Sequence, residues 1–367
     1  MPNLDYLIEN HSLGATCSFI LFIVMLINYK HLLYNQAKGG TGYITLFCVM
    51  VFYSLFYVRG EVGDVYTSMI TYYEYFSGVD TDFLHFEPIY FKLMDLIPYG
   101  YIYWRLAVWG SAALILLLAI KKMGCNIYLA TIFMCYYCIP LAFYYQRVSL
   151  GFALLLLGLY FFLRWKETSN KKSLILSVLL FMFCALFHRS MPLYITIMFL
   201  SIYIPINKRN WLIYLILLPI LLYSIDALAN AFLSQSEELY DAGINYMDST
   251  TRHAERNFNG KLFEFMKWGP YAAITYYALY DYIKHPKQFT LTEKSLLLFG
   301  TIMYTASIIL TNKTSDMFLG KMMVQSTFPM TLFLTLYFKN RRHTVACRLF
   351  TTAISVSYVL QLIFSGF

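Results

Sequence analysis

Twelve apolar runs recur along the chain, and they decide what it can fold into. A helix that crosses a membrane needs about 20 predominantly apolar residues, with a range of about 17 to 25. The pattern predicts an all-α polytopic membrane protein with about 12 transmembrane helices. Its shortest neighbouring runs predict local bilayer thinning or helices that stop at a water-filled cavity. The runs are 12–29, 43–58, 101–120, 127–145, 148–163, 173–187, 191–204, 211–228, 268–283, 294–311, 323–338 and 344–364.

The composition excludes most soluble proteins. Of the 367 residues, 59% are hydrophobic and 13% are charged, whereas a soluble domain has about 45–50% apolar and about 25% charged residues. The first residues, 1–10, contain Asp5 and Glu9 and no basic segment, so the run 12–29 is predicted to be a retained span rather than a cleaved signal. We expect one transmembrane domain over 1–367.

The basic residues predict the orientation, because cytoplasmic loops of membrane proteins are enriched in Lys and Arg. With twelve spans and the N-terminus outside, 17 of the 28 basic and 3 of the 20 acidic residues lie inside. The net charge of +8 then divides into +14 inside and −6 outside. The basic excess is therefore a topology signal, and no nucleic-acid partner is needed to explain it.

Two long segments, 59–100 and 229–267, fall on the outer side of this topology. Within the first, apolar spacing predicts a surface helix over 65–76, and the stretch 87–98, with a proline near either end, predicts a short re-entrant helix. The second is rich in charges of both signs, and either an ordered lid or a mobile loop fits it. Long outer loops favour an enzyme that works at the outer face over a transporter.

Several cations at outer span ends are candidates for binding an anion. Arg147 and Arg189 each lie between apolar runs, where a charge is costly and commonly functional. The alternative is that each extends to lipid headgroups. Arginine suits bidentate binding of phosphate, so a lipid-linked pyrophosphate is the predicted ligand. Further outer cations are Arg59, Lys92, Lys313 and Lys321.

Three residues are candidates for proton transfer: Asp64, Glu87 and His188. His188 is suited to act as a general base or a hydrogen-bond donor, and a buried histidine satisfied by a neighbouring helix is the alternative. Glu87 opens a short helix, so the alternative is a partner of the helix dipole or a cap, and for Asp64 the alternative is a turn residue. The pair Asp80 and Asp82 is too common a pattern to favour a metal site. We predict no metal and no cofactor.

Four short motifs in order along 55–200 resemble those of the EpsG-like group of Wzy-type polysaccharide polymerases. They are Gly63-Asp64 followed by Tyr72, Tyr73 and Phe76; Glu87-Pro88-Ile89-Tyr90; Gln146-Arg147-Val148-Ser149-Leu150-Gly151; and Phe187-His188-Arg189-Ser190. The chain departs from the family pattern in two places. Gln146 precedes Arg147 where the order Arg-Gln is common, and Lys321 stands ahead of Phe328-Pro329 where an arginine is common.

The resemblance implies a GT-C-like glycosyltransferase of the bacterial inner membrane. Such an enzyme joins undecaprenyl-pyrophosphate-linked oligosaccharide repeat units on the periplasmic face, in the synthesis of O-antigen, capsule or exopolysaccharide. The implied partners are these lipid-linked glycans, membrane lipids and a chain-length regulator. The alternatives are a transporter or flippase for lipid-linked glycans, an O-antigen-ligase-like enzyme and a membrane acyltransferase that uses His188.

Overall fold

The computed structural model describes residues 19–28, 40–56, 64–78, 87–143, 146–188, 190–204, 206, 210–211, 258–310, 322–341, 349 and 353. Every regular element within these ranges is helical. The α-helices are α1 (Phe19–Asn28), α2 (Gly40–Phe56), α3 (Asp64–Phe76), α4 (Pro88–Leu96), α5 (Tyr101–Lys122), α6 (Ile127–Phe133), α7 (Gln146–Thr168), α8 (Lys171–Phe187), α9 (Met191–Tyr203), α10 (Phe258–Lys284), α11 (Leu291–Leu310) and α12 (Thr327–Arg341).

Most predicted spans coincide with helices, and two differ in length. The run 148–163 lies inside α7, which is 23 residues long. The helix continues past the apolar run through Arg164, so that its last turn carries charged residues. The span 268–283 lies inside α10, which begins ten residues earlier, within the predicted outer segment 229–267. The predicted spans 211–228 and 344–364 lie almost entirely outside the described residues.

Exposed apolar side chains cover one broad side of α8. Met182 is 63% exposed, and its neighbours at helical spacing are exposed as well. A soluble monomer rarely exposes so continuous an apolar surface, so contact with lipid explains it. Two helices of the described part, Tyr101–Lys122 and Val148–Thr168, are also long and apolar enough to cross a membrane. The exposed residues on α8 are Ile175, Leu176, Val178, Leu179, Met182, Phe183 and Leu186.

The chain divides into two compact units. The first comprises Met1–Thr196, Leu334–Thr351 and Ser365–Phe367, and the second comprises Ile197–Phe333 and Thr352–Phe364. In the first unit α7 packs against both α5 and α8. Glycines on α7 allow α8 a close approach, as small residues do between membrane helices. Ser177 Oγ donates to Gly158 O at 3.0 Å, and Cys184 Sγ donates to Gly151 O at 3.2 Å.

The predicted span 127–145 is helical, but only its first part is an α-helix. After α6 the chain forms a π-helix over Met134–Phe143. Pro140 lies inside it and has no N–H to donate, and in an α-helix its ring would collide with the carbonyl four residues earlier. The wider turn of a π-helix relieves that collision. Such segments are rare and are frequently found at functional sites, and this one leads towards Arg147.

In the second unit, a reciprocal pair of hydrogen bonds starts α11. The backbone N–H of Thr290 donates to Glu293 Oε2 at 2.8 Å, and the N–H of Glu293 donates to Thr290 Oγ1 at 3.2 Å. This is a capping box, which satisfies N–H groups that the first turn leaves open. The buried carboxylate of Glu293 therefore has a structural role.

Candidate functional site

Five aromatic rings bring together four helices of the first unit. They form what we call the five-ring cluster: Tyr72 of α3, Tyr90 of α4, Tyr101 and Trp104 of α5, and Phe187 of α8. The Trp104 ring lies 5.7 Å from the Tyr72 ring and 6.3 Å from the Tyr90 ring, measured between centroids. Tyr90 lies 5.7 Å from Phe187. These spacings are those of favourable aromatic pairs, so the cluster fixes the positions of the residues beside it.

Hydrogen bonds hold α3 against α5. The Tyr72 hydroxyl donates to Ile97 O at 3.2 Å and accepts from the Gly100 N–H at 3.1 Å. Ser68 Oγ and the Tyr101 hydroxyl lie 2.8 Å apart. Gly100 has φ of +132°, a backbone conformation open to glycine. The helix predicted over 65–76 is confirmed, and its apolar side packs on protein around Tyr72 rather than facing lipid alone.

Glu87 lies at the start of α4 with a buried side chain that is 7% exposed. Pro88 occupies the first turn, as predicted, and the helix ends at Leu96. Glu87 stands at the N-cap position of this helix, but its side chain makes no capping hydrogen bond, so of its two structural alternatives only that of a dipole partner agrees with the structure. One turn later, Tyr90 contacts Trp104 and Phe187. Glu87 therefore stands directly before α4, the helix that contacts both α5 and the end of α8.

His188 directly follows Phe187 and is oriented by Ser190. The Ser190 N–H donates to His188 Nδ1 at 3.1 Å, and Ser190 Oγ lies 2.6 Å from the same nitrogen. A backbone N–H can only donate, so Nδ1 carries no proton, and the neutral imidazole holds its proton on Nε2. This network favours His188 as a hydrogen-bond donor through Nε2, one of the two roles predicted for it.

Asp64 is the first residue of α3, one turn before Ser68; its side chain lies outside the described residues. The elements that carry Asp64, Glu87 and His188 therefore meet around the five-ring cluster. Arg147 is the second residue of α7, and its side chain is likewise outside the described part. Further predicted residues outside it are Arg59, Asp80, Asp82, Arg189, Lys313 and Lys321.

Sequence reasoning missed Arg105, one turn into α5. Its side chain is 3% exposed. The guanidinium Cζ lies 4.5 Å from the centroid of the Trp109 ring and 5.7 Å from that of Tyr101. Both aromatic residues are four positions away on the same helix, so they lie on one face. The signal was present in the sequence, since a charged residue inside an apolar run is also what singled out Arg147.

Arg105 is buried without a counter-ion among the residues that the structure describes. Its Nε and Nη2 atoms are inaccessible to solvent and have no hydrogen-bond partner. Among the described residues, no carboxylate lies within ion-pair distance of it. Nor do three His, Cys, Asp or Glu side chains of the described part cluster as a metal site would require. The site thus combines a buried cation and a buried acid with helices that bear the other candidate residues.

Comparison with known proteins adds the family. The model of the EpsG family matches residues 43–367, most of the chain. The chain belongs to the EpsG family. No curated protein and no solved structure matches it. Membership in this family, which is associated with glycosyltransferase-like polymerases, together with the apolar helices, indicates a membrane protein of polysaccharide biosynthesis.

Proposed function

We propose that this EpsG-family protein is a polysaccharide polymerase of the bacterial inner membrane. It would be a GT-C-type glycosyltransferase with about 12 spans that joins undecaprenyl-pyrophosphate-linked repeat units at the periplasmic face. The product would be an O-antigen, a capsule or an exopolysaccharide, and a chain-length regulator is the expected protein partner. The family match over 43–367 is the observation that carries this proposal.

The geometry of the first unit supports chemistry at one place. Glu87, His188 and the helix that begins at Asp64 all adjoin the five-ring cluster. A glycosyl transfer needs a group that accepts a proton and cations that stabilise the departing phosphate. Side chains that adjoin one cluster of packed rings are held in a fixed relation, as such chemistry requires.

In the proposed reaction, a hydroxyl oxygen of the acceptor sugar forms a bond to the anomeric carbon of the donor. The bond from that carbon to the pyrophosphate oxygen breaks, and undecaprenyl pyrophosphate leaves with both electrons of the bond. The hydroxyl proton passes to a carboxylate, Asp64 or Glu87. Attack opposite the leaving group inverts the anomeric centre.

Arg147 and Arg189 would bind the pyrophosphate and stabilise the charge that develops as it leaves, with Arg59 and Lys321 adding positive charge. His188 would donate from Nε2, because Ser190 holds its other nitrogen. This assignment leaves the proton acceptor to the carboxylates. It also separates the present proposal from an acyltransferase that needs a histidine base.

The test is reconstitution of the purified protein with undecaprenyl-pyrophosphate-linked repeat units. We expect a ladder of products whose steps equal one repeat unit, resolved by gel or mass spectrometry. Movement of intact units across a vesicle bilayer without any ladder would point to a flippase. Transfer of a finished glycan to a different acceptor would point to a ligase. Either result contradicts the polymerase.

Arg147→Ala should abolish the ladder while single-unit products persist. The change removes a cation proposed to stabilise the leaving pyrophosphate, and one such interaction is worth about 10²–10³ in rate. Arg164→Ala is the matched control, because Arg164 is exposed at the other end of the same helix. Wild-type chain lengths in the Arg147 variant would rule out this role.

A further inference from the structure

We infer that Arg105 binds a phosphate pair of the substrate, the diphosphate of the lipid-linked donor. The inference rests on the proposed function for the identity of the ligand and on the geometry of Arg105 for the site. Neither the motifs shared with the family nor the residues named above for pyrophosphate binding include this position. It adds a substrate-binding residue on α5.

The unsatisfied atoms of Arg105 form one edge of its guanidinium. Nε–H and the nearer N–H of Nη2 point in parallel, and together they make the side of the fork that binds two oxygens at once. Both atoms are buried without a hydrogen-bond partner. The edge best suited to a phosphate or carboxylate is therefore buried and left without a hydrogen-bond partner.

The faces of the same guanidinium are occupied. Trp109 lies 4.5 Å from Cζ and Tyr101 lies 5.7 Å from it. Contacts with aromatic faces offset part of the cost of burying a cation, but they leave the N–H groups of Nε and Nη2 without a partner. A buried charge without a counter-ion is strongly unfavourable. The arrangement is that of a cation held in position for an anion that comes from elsewhere.

The position of Arg105 fits a diphosphate at the membrane interface. It lies four residues from the start of α5, about 6 Å along the helix axis, and the predicted topology puts that end outside. Tyr101, which flanks the guanidinium, is bonded to Ser68 of α3, one turn from Asp64. The bound phosphate would thus lie beside the helix that carries a proposed proton acceptor.

Phosphate oxygens could also come from the headgroup of an anionic lipid, so the test separates the two sources. The protein would be placed in nanodiscs of phosphatidylcholine alone and in nanodiscs that contain phosphatidylglycerol. Farnesyl diphosphate, a short isoprenoid diphosphate, would be titrated into each and binding measured by calorimetry. The variants are Arg105→Met, which keeps the volume, and Arg105→Lys, which keeps the charge. Arg164→Met is the control.

We expect Arg105→Met to weaken farnesyl diphosphate binding by about tenfold to a hundredfold, the loss of a charge-assisted bidentate contact. The affinity of Arg105→Lys for farnesyl diphosphate should lie between those of Arg105→Met and the wild type, and Arg164→Met should bind with wild-type affinity. The Met variant should unfold at the same or a higher temperature, because it removes an unpaired buried charge. If Met does not fold, weaker binding in the folded Lys variant supports the inference.

Wild-type affinity in both Arg105 variants would overturn the inference. A second outcome would also overturn it: phosphatidylglycerol competes with farnesyl diphosphate in the wild type, and Arg105→Met loses this competition but still binds the diphosphate. The ligand of Arg105 would then be a lipid headgroup. Failure of the proposed function would look different. Arg105→Met would still lose diphosphate binding, but the wild-type protein would make no ladder of repeat units.

Discussion

At the scale of single residues, the burial of Glu87 without a capping role needs an explanation. A carboxylate is costly to bury, and this one is only 7% exposed at the start of a short helix that it does not cap. Tyr90 of the five-ring cluster donates its backbone N–H to Glu87 O at 2.9 Å. The proposed role in proton transfer would account for the retention of a carboxylate there.

Glu87→Gln should lower the rate of chain extension by about 10²–10⁴, the usual contribution of a positioned base. The amide keeps the shape of the side chain but cannot accept the acceptor's proton. The rate would be measured from the appearance of the first extended product under single-turnover conditions. Asp95→Asn on the same helix is the control, since Asp95 is exposed and bonds only Tyr75 among the contacts described. Equal rates for the two variants would shift the role of base to Asp64.

The sequence predicted residues of this site to different extents. His188 could be found because it lies between two apolar spans, and Glu87 because it opens a short helix in front of Pro88. The partner of His188 could not, because the contact between Nδ1 and Ser190 depends on the turn between α8 and α9. Arg105 carries no local pattern beyond its charge, and its lack of a counter-ion is a property of packing.

At the scale of elements, the contact between α7 and α8 depends on glycine. A Cβ placed on Gly158 would lie 2.6 Å and 2.8 Å from two ring carbons of Phe181. The same glycine accepts the hydrogen bond from Ser177. The two helices can therefore approach this closely only where the side chain is absent.

Gly158→Ala should lower the free energy of unfolding by about 1–3 kcal/mol, the usual cost of overpacking. Thermal unfolding of the detergent-purified protein would measure it. Gly110→Ala in α5 is the matched control, because a Cβ there meets nothing within 4 Å. The control should be neutral or gain up to about 1 kcal/mol from helix propensity. A Gly158 variant as stable as this control would contradict the described packing.

The sequence predicted which segments are helical better than it predicted the kind of helix or where each helix begins. The helix over 88–96 follows from Pro88 at its start and from its length. The π-helix over 134–143 was not predicted, because apolar periodicity does not distinguish it from an α-helix, and the described side chains, 134–139, are all buried. The early start of α10 was missed for another reason: its first residues are polar and were assigned to a loop.

At the scale of the whole molecule, the distribution of charge predicts which loops face the cytoplasm. Lys92 lies on the outer side of the predicted topology and Lys166 on the inner side, and both are exposed on helices. Each can therefore report the sidedness of its own loop.

Lys92→Cys should react with a membrane-impermeant maleimide in intact spheroplasts, and Lys166→Cys only after permeabilisation. The reason is the excess of basic residues retained inside. Labelling would be read as a mass shift in a background without the exposed native Cys48. Reaction of Lys166→Cys in intact cells would reverse the topology and place the proposed site on the wrong face.

The π-helix has a consequence for how the length of this segment can vary. A π turn holds one more residue than an α turn, so the stretch 134–143 carries surplus chain. Deleting Pro140, the residue that an α-helical turn does not accommodate, would let the backbone rewind as an ordinary helix without opening a gap. Because the surplus residue is accommodated within the π turn itself, its loss would leave the helical register of the residues before and after it unchanged. We therefore expect the chain length to vary by one residue more readily within 134–143 than within the neighbouring α-helices, where a deletion would rotate every residue that follows.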